Sequence, residues 1–423
     1  MKLFDEDGAD INYHHIDVLD GIRAFAILVV CWLHIWQVNW LMPILNTPAL
    51  SFLRIDRIDI DWIPRTGSMM VNMLIFLSGF CLYLPYARNT VYGDRIPDTK
   101  TFFKKRVARI IPSYIFCVLA IFIFRLIQGS YSDISDSTFM WKDLLTRLTF
   151  TFNLLPQIGS RTLLNGALWT VAVEVQFYII FPFLQKAFSK RPVLTYTIMT
   201  LVSFVYIFWA TGQTDLVPIM CLLPSYLGVY ANGFMGALIF TGMTKTIKRN
   251  RYIAMLCTVI SLGCFYVYYL MMFSMNQSGE LIKWQMKYRF HLSVLFMVFC
   301  IVTAYSVPFY RKIFSNRVAV FLSTISFNLY MWHQFIAVEL KENKIPYYPG
   351  NTDDTMPNVI GDKPWMWKHF ILSIVLSLLM ATLTTYLIEK PCSKLILGRK
   401  KEETAKSSDK AVSTKVSKTK KKH

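Results

Sequence analysis

Apolar residues along the chain gather into long runs separated by short polar segments. Ten of these runs have about the length, roughly 17 to 25 residues, that a helix needs to cross the hydrocarbon core of a membrane. The pattern therefore predicts an all-α fold, a polytopic transmembrane bundle of about ten helices. The predicted helices span residues 22–42, 68–87, 110–127, 166–184, 192–210, 219–241, 253–273, 291–308, 318–338 and 368–388.

The polar segments between these runs alternate in their content of lysine and arginine. One alternating set, which includes the C-terminal segment, holds 29 basic residues, and the opposite set holds 14. Because basic residues accumulate on the cytoplasmic side, we expect a multi-pass protein of the cell membrane with both termini in the cytoplasm. Without the C-terminal segment the counts are 17 and 14, so this prediction depends on that segment.

The C-terminal end differs from the rest of the chain. Residues 1–395 form the predicted transmembrane domain, and residues 396–423 form a lysine-rich tail. The tail has too few apolar side chains to build a core, so we expect a disordered cytoplasmic segment. Its charge has two interpretations, since it either anchors the topology or binds anionic lipid headgroups.

Composition agrees with a lipid environment. The chain is 54% hydrophobic with a mean hydropathy of +0.39, which is more apolar surface than one soluble core hides. The net charge of +19 falls in short clusters between apolar runs, so the expected partner is the bilayer and not nucleic acid. The eight cysteines lie in apolar runs or beside the tail, and we expect neither a disulfide nor a metal site.

Four ionisable residues stand out among those inside the predicted helices, where a charge costs a few kcal/mol or more. Arg23 and His34 are eleven residues apart in the first helix, which places them on one face and roughly 16 Å apart along the axis. Glu174 and His333 lie toward the predicted outer ends of the fourth and ninth helices. Two interpretations are open: these groups make helix-to-helix contacts and Arg23 reaches the headgroups, or the histidines and the carboxylate hold and move a proton.

A basic cluster, FFKKRVARIIPSY, precedes the third apolar run and contains Lys104, Lys105, Arg106 and Arg109. Positive charge at this point suffices to orient the helix. The same side chains suit a clamp for a phosphorylated ligand that enters from the cytoplasm, since arginine offers forked donors to phosphate oxygens.

Six short motifs in this order resemble those of the membrane-bound acyltransferase 3 family, which O-acylates cell-surface carbohydrates. The resemblance extends from Ile16 to Lys394. Two departures are Phe327, where the family has tyrosine, and residues 70–75, which lack an acidic group and two aromatic residues of the family pattern. The matching residues are Arg23 and His34; Ser78, Gly79 and Phe80; Arg106, Arg109, Ile110, Pro112 and Tyr114; Trp169, Glu174, Phe177, Tyr178 and Pro182; Ser326, Leu329, Tyr330, Trp332 and His333; and Glu389 and Pro391.

The resemblance implies a transmembrane O-acyltransferase with no permanently bound cofactor. Its donor would be cytoplasmic acyl-CoA, most often acetyl-CoA, and its acceptor a hydroxyl of an extracytoplasmic carbohydrate or glycoconjugate. His34 would be the general base or the acyl acceptor, with Arg23 and Glu174 completing the catalytic set and Glu174 orienting His34. A transporter or exporter of a glycoconjugate or small solute is the alternative, because it too would carry intramembrane charges.

The resemblance also implies binding residues on each side. Small residues at 78 and 79 equally suit helix packing, and tryptophans equally suit an interfacial belt. The predicted donor-binding residues are Lys105, Arg106, Arg109, Ser78 and Gly79. The predicted acceptor-binding residues are Trp169, Tyr178, Tyr330, Trp332 and His333.

The segment from about 128 to 165 contains WKDLLTRLTFTFNLL, whose apolar residues have roughly helical spacing. Two interpretations are open here as well, since such a helix lies along the membrane surface or forms a platform for the acceptor.

Overall fold

Ten helices of 19 or more residues dominate the part of the chain that the computed structural model describes. The described residues are 16–42, 44–54, 56–60, 62–132, 138–159, 161–348 and 356–398. Of the predicted tail, residues 396–398 are described and residues 399–423 lie outside the described part, as do residues 1–15. The ten helices are α1 (Asp17–Asn39), α2 (Gly67–Tyr92), α3 (Thr99–Ile127), α4 (Trp169–Lys190), α5 (Pro192–Ala210), α6 (Leu227–Thr246), α7 (Arg251–Gln277), α8 (Leu281–Tyr305), α9 (Arg317–Glu342) and α10 (Lys363–Leu383).

Each of these helices overlaps one predicted segment, so the predicted helical membrane bundle is confirmed. In the described part of the chain, eight helices are long and apolar enough by themselves to cross a membrane, all but α6 and α9. Polar residues such as Asn328, His333 and Gln334 lower the hydropathy of α9. α6 packs against α2, and α9 packs against α1 and α10. The least apolar helices are therefore those that other helices surround, and the protein is a multi-pass membrane protein.

The sixth predicted helix begins in the wrong place. It was expected to span 219–241, whereas α6 begins at Leu227. Pro218 and Pro224 interrupt the preceding segment, which forms only the short turns Val217–Met220 and Leu223–Tyr226. Each proline removes one backbone donor from an α-helix, and two closely spaced prolines here interrupt the helix that the apolar run predicted.

Two other helices extend well beyond their apolar runs. α3 begins at Thr99 and not at 110, with Asp98 capping its first turn by accepting from the backbone N of Thr101 at 3.3 Å. α8 begins at Leu281 and not at 291. Hydropathy detects the part of a helix that suits lipid, and polar turns continue the same backbone geometry beyond it.

The close crossing of α2 and α6 depends on two glycines. A methyl group on Gly233 would lie 2.7 Å from the carbonyl oxygen of Phe76, and one on Gly79 would lie 3.1 Å from that of Tyr230. Small residues of this kind let two helix backbones approach in a membrane. Gly79 therefore serves as a helix-packing position.

Helix α10 continues through a π-helical turn, Thr384–Glu389, into the helix Lys390–Leu397. Helix α9 holds this turn by two side chains. Trp332 Nε1 donates to Thr384 Oγ1 at 3.0 Å, and Asn328 Nδ2 donates to Thr385 Oγ1 at 2.7 Å and to Glu389 Oε2 at 2.6 Å.

The segments that join the long helices contain short elements. Strands β1 (Ile44–Asn46) and β2 (Arg57–Asp59) pair antiparallel. The remaining helical turns are Pro48–Leu53, Trp62–Arg65, Phe139–Leu148, Phe152–Leu154, Pro156–Gly159, Gly166–Leu168, Pro308–Phe314 and Pro357–Ile360.

The helix Phe139–Leu148 covers part of the segment with two open interpretations. Asp143 and Arg147 are fully buried, whereas Trp141 and Leu145 are more than half exposed. Arg147 donates to the carbonyl of Asn165 at 2.8 Å, and its Nε lies 3.7 Å from Asp143 Oδ1. Burial lowers the pKa of the Arg147 guanidinium, and the Asp143 carboxylate opposes that shift. The helix thus turns Asp143 and Arg147 into the protein, while Trp141 and Leu145 lie on its outer face.

Candidate functional site

A cavity of about 120 Å³ lies between α1, α2, α3, α4, α6 and α9. Six of the residues predicted from the sequence line it, although they come from five different helices. These are Arg23, Ser78, Arg106, Arg109, Glu174 and Tyr330. The fold therefore brings distant motifs of the chain to one site.

Three guanidinium groups, those of Arg23, Arg106 and Arg109, line the cavity. That of Arg106 lies 5.7 Å from the ring centre of Phe102 and 5.8 Å from that of Tyr178. Arg23 Nη2 donates to Cys81 Sγ at 3.6 Å, and its Nη1 lies 4.0 Å from Asp20 Oδ1. Three fixed cations in one cavity suit an anionic group such as a phosphate.

The remaining basic residues of this region have different positions. Arg109 is exposed at the rim, and it interacts electrostatically with Glu389 in the π-helical turn. Lys105 is exposed on α3 and does not line the cavity. Its charge acts on the site only from a distance.

Glu174 lies inside the cavity and has two hydroxyl partners. Ser78 Oγ donates to Glu174 Oε1 at 2.8 Å, and the Tyr178 hydroxyl donates to the same oxygen. We expected Glu174 to orient His34, but the structure pairs His34 with His333 instead. Tyr178, predicted on the acceptor side, is buried between Glu174 and the Arg106 guanidinium.

His34 and His333 form a hydrogen-bonded pair, with His34 Nδ1 2.7 Å from His333 Nε2. His333 Nδ1 lies 3.1 Å from the carbonyl oxygen of Leu329. Since a carbonyl only accepts, Nδ1 of His333 carries a proton, and in the neutral pair its Nε2 accepts from His34 Nδ1–H. This network assigns the free lone pair to Nε2 of His34. His34 is partly exposed and His333 is fully buried, so His34 is the accessible member.

The histidine pair lies next to the cavity and not in its wall. Ile27 lines the cavity seven residues before His34, which is about 10 Å along the axis of α1. The Tyr330 ring also lines the cavity, and its centre is 5.6 Å from that of His333. Tyr330 is therefore the side chain that connects the cavity with the pair, and its hydroxyl is held by the Ala167 carbonyl at 2.6 Å.

Three other predicted residues point elsewhere. Trp332 is buried and donates to Thr384, away from the cavity. Gly79 lies in the crossing of α2 and α6. Trp169 does not line the cavity, although the next residue, Thr170, does. The centre of its ring lies 5.8 Å from that of Tyr226.

Sequence reasoning missed several residues of the cavity wall. Cys81 follows Ser78 by three positions, and Thr170 precedes Glu174 by four. Residues three or four apart share a helix face, so this spacing was the signal that would have found them. Tyr230 of α6 also lines the cavity, and none of the six motifs includes it.

Known proteins with similar sequences agree on one family. The model of a family described as an acyltransferase domain matches residues 16–390. O-acetyltransferase OatA of Staphylococcus aureus (strain NCTC 8325 / PS 47) is 23% identical over 403 residues, which is 89% of this chain and 57% of that protein. The chain thus spans little more than half the length of that relative.

Two further relatives extend the comparison. Putative peptidoglycan O-acetyltransferase YrhL of Bacillus subtilis (strain 168) is 22% identical over 90% of this chain and 55% of its own length. Putative acetyltransferase ORF330 of Acidianus two-tailed virus is 25% identical over 74% of this chain and 80% of its own. No solved structure matches the chain. Because the family match covers nearly the whole described bundle, the chain belongs to this acyltransferase family.

Proposed function

We propose that this protein is a transmembrane O-acetyltransferase. It transfers an acyl group, in most cases acetyl, from cytoplasmic acyl-CoA to a hydroxyl of an extracytoplasmic carbohydrate or glycoconjugate. Family membership and relatives named as O-acetyltransferases support the reaction class. The observation that carries the mechanism is the His34–His333 pair next to a cavity with three arginines.

The donor would bind with its phosphates against Arg23, Arg106 and Arg109. Phosphates cannot enter hydrocarbon at an acceptable cost, so they stay at the polar end of the site. The pantetheine arm then extends past Ser78 and Glu174 toward Tyr330. The roughly 16 Å of α1 between Arg23 and His34 is the distance that the arm covers.

His34 would act through its unprotonated Nε2. This atom accepts the proton of the acceptor hydroxyl while the oxygen attacks the thioester carbonyl carbon. The carbon–sulfur bond breaks, and the proton on His34 passes to the departing CoA thiolate. A two-step route also balances: Nε2 attacks the thioester carbonyl carbon and CoA leaves as a thiolate, and the acceptor oxygen then takes the acyl group from His34 while its proton passes to that thiolate.

His333 serves this chemistry without contacting the reacting atoms. By accepting from His34 Nδ1–H it places the lone pair of His34 on the accessible nitrogen. It also shares the positive charge that develops when His34 gains a proton. His333 is therefore a positioning residue, with the Leu329 carbonyl as its own anchor.

The acceptor side is proposed from the aromatic residue that lies nearest the pair. Tyr330 lines the cavity beside His333, where it would contact a sugar ring. Both termini would be cytoplasmic, so that donor and acceptor approach from opposite sides of the cell membrane.

The decisive experiment uses purified protein in liposomes with labelled acetyl-CoA on the side of the C-terminal tail. Label should appear on glycan hydroxyls in the opposite compartment. His34→Ala should lower the rate by about 10²- to 10⁴-fold, the usual contribution of a general base. His291→Ala is the matched control, because His291 is an exposed histidine of α8.

Three outcomes would contradict the proposal. Full activity of His34→Ala would show that this histidine is not the base or the acyl acceptor. Label that stays on the donor side would exclude transfer across the membrane. Solute flux without consumption of acetyl-CoA would instead support the transporter.

Donor binding is tested separately by Arg106→Gln with Arg109→Gln. The KM for acetyl-CoA should rise far more than the KM for the acceptor, because the lost donors face phosphate. Lys100→Gln is the control, since Lys100 is exposed at the start of the same helix. An equal rise in both constants would point to a folding defect.

A further inference from the structure

A second cavity, of about 200 Å³, lies on the other side of α1 and α2, where these helices meet α7 and α8. We call it the lateral crevice. Its walls include Phe25 of α1, Met73 of α2, Phe265 of α7 and Phe296 of α8. Nothing in the proposed acyl transfer uses it.

The lateral crevice and the arginine-lined cavity share one wall. On α1, Ile22 faces the crevice and Arg23 faces the cavity. On α2, Met73 faces the crevice and Leu74 faces the cavity. Two helices therefore separate a polar site from an apolar one.

The lining of the crevice excludes water and polar ligands. The polar side-chain groups of its lining are those of Thr66, Cys264 and Tyr268 and the indole N–H of Trp62. The Tyr268 hydroxyl is already used, since it donates to the Thr66 carbonyl at 3.3 Å. A buried water needs two to four polar partners, and a sugar or a nucleotide needs more. The chemistry of this lining suits a hydrocarbon chain.

The mouth of the crevice faces the bilayer. Phe25 and Phe265 at the mouth are 45% and 38% exposed. The same helix α7 carries a stripe of exposed apolar side chains at helical spacing, Val259, Leu262, Tyr266, Leu270 and Phe273. In a membrane protein such a stripe contacts lipid hydrocarbon. What enters the crevice must therefore come from the bilayer.

We propose that the lateral crevice binds one acyl chain of a membrane phospholipid. The chain enters between α1 and α7, and it packs against the phenylalanine and methionine side chains of the lining. The headgroup stays at the membrane surface. The bound chain fills the back of the wall that carries Arg23 and Ser78, so the lipid supports the catalytic cavity from behind.

The test is native mass spectrometry of the full chain, extracted from the membrane in mild detergent. The wild-type protein should retain one phospholipid molecule. Leu295→Trp and Met73→Phe each fill part of the crevice and should lower the lipid-bound fraction about tenfold, because the added bulk occupies the volume that the acyl chain needs. Two variants are used so that a folding defect in one does not decide the outcome, and size-exclusion chromatography reports folding.

The matched control is Leu262→Trp, which adds the same bulk on the exposed stripe of α7 outside the crevice. It should retain lipid as the wild type does. Retention by both filled variants at the wild-type level would overturn the proposal, and so would a wild-type protein without lipid. Because no acyl-CoA is present, failure here is distinct from failure of the acyl transfer.

Discussion

At the residue scale, the main observation is that hydrogen bonds fix the tautomers of His34 and His333. The Leu329 carbonyl requires a proton on His333 Nδ1, and this leaves His333 Nε2 to accept from His34. A lone histidine in the same helix would populate both tautomers. The pair therefore leaves Nε2 of His34 as the unprotonated nitrogen, which is the atom that the proposed mechanism uses as the base.

This arrangement makes a prediction for His333. His333→Leu removes the acceptor for His34 Nδ1–H and should lower kcat by about 10²-fold, with little change in the KM for acetyl-CoA. His333→Gln places an amide oxygen near the lost nitrogen, so it should recover part of kcat. Steady-state kinetics in liposomes measures both values.

A purely structural His333 would behave differently. The Leu and Gln variants would then lose folded protein to a similar degree, and the activity per folded molecule would be unchanged. That result would contradict the tautomer argument.

Glu174 makes a second prediction at this scale. Glu174→Ala leaves the Ser78 and Tyr178 hydroxyls without their acceptor, which should cost about 1–3 kcal/mol and lower the Tm. Glu174→Gln keeps an acceptor oxygen and should lose less. Glu342→Ala, at an exposed end of α9, is the control and should not change the Tm. Equal losses for the Ala and Gln variants would show that the charge and not the oxygen matters.

At the scale of elements, the crossing of α2 and α6 depends on backbone proximity. A methyl group on Gly233 would lie 2.7 Å from both Phe76 O and Phe80 N, so Gly233→Ala should push the helices apart and lower the Tm. Gly242 is in the same helix and has nothing within 4 Å of the added carbon. Gly242→Ala should be neutral or stabilising by up to about 1 kcal/mol, the gain in helix propensity. Similar Tm values for the two variants would contradict the proposed contact.

A second feature at the scale of elements is the segment before α6, where the short turns Val217–Met220 and Leu223–Tyr226 replace a continuous helix. Its carbonyls at Met220 and Ser225 each lie 3.4 Å from Nη1 of the buried Arg289 in α8, which also donates to Ser225 Oγ. The guanidinium lies 4.1 Å from the ring centre of Tyr226. Arg289 thus satisfies backbone groups that lose their helical partners where prolines break the helix.

The prediction is that Arg289→Met lowers the Tm strongly, because hydrogen bonds to a charged group contribute about 1.5–3 kcal/mol each. Arg289→Lys keeps the charge but loses the fork, so it should recover only part of the stability. Lys287→Met, exposed on the same helix, should stay within about 0.5 kcal/mol of the wild type. A Lys variant as stable as the wild type would show that the forked geometry is dispensable.

At the scale of the whole molecule, the proposed phosphate site and the helix Lys390–Leu397 lie at the same end of the bundle. Arg109 interacts with Glu389, and Glu389 directly precedes the helix Lys390–Leu397 that leads to the tail. The proposed phosphate site therefore faces the compartment that contains the tail. The orientation of the chain in the membrane therefore decides from which compartment the donor would bind.

Orientation is tested with an epitope tag after His423. Protease added to intact cells should leave the tag, and protease added to opened cells should remove it. Loss of the tag in intact cells would place the tail outside, and the arginine-lined cavity would then face away from cytoplasmic acyl-CoA.

The sequence by itself determined the helical bundle, because the length of an apolar run is set by the thickness of the membrane. It also marked Arg23, His34, Glu174 and His333 as candidates, since charge at membrane depth is costly. It did not determine where α6 begins, because hydropathy measures preference for lipid and ignores the backbone donor that proline lacks.

Only the tertiary structure decided which of these residues meet. Helical periodicity places side chains on faces, but it contains no information on which face of another helix lies opposite. His34 and His333 are 299 positions apart, and Ser78 and Glu174 are 96 apart. The packing of α9 against α1 sets the first contact, and the packing of α4 against α2 sets the second. The candidate residues were thus visible in the sequence, and the pairing of His34 with His333 came from the packing of helices.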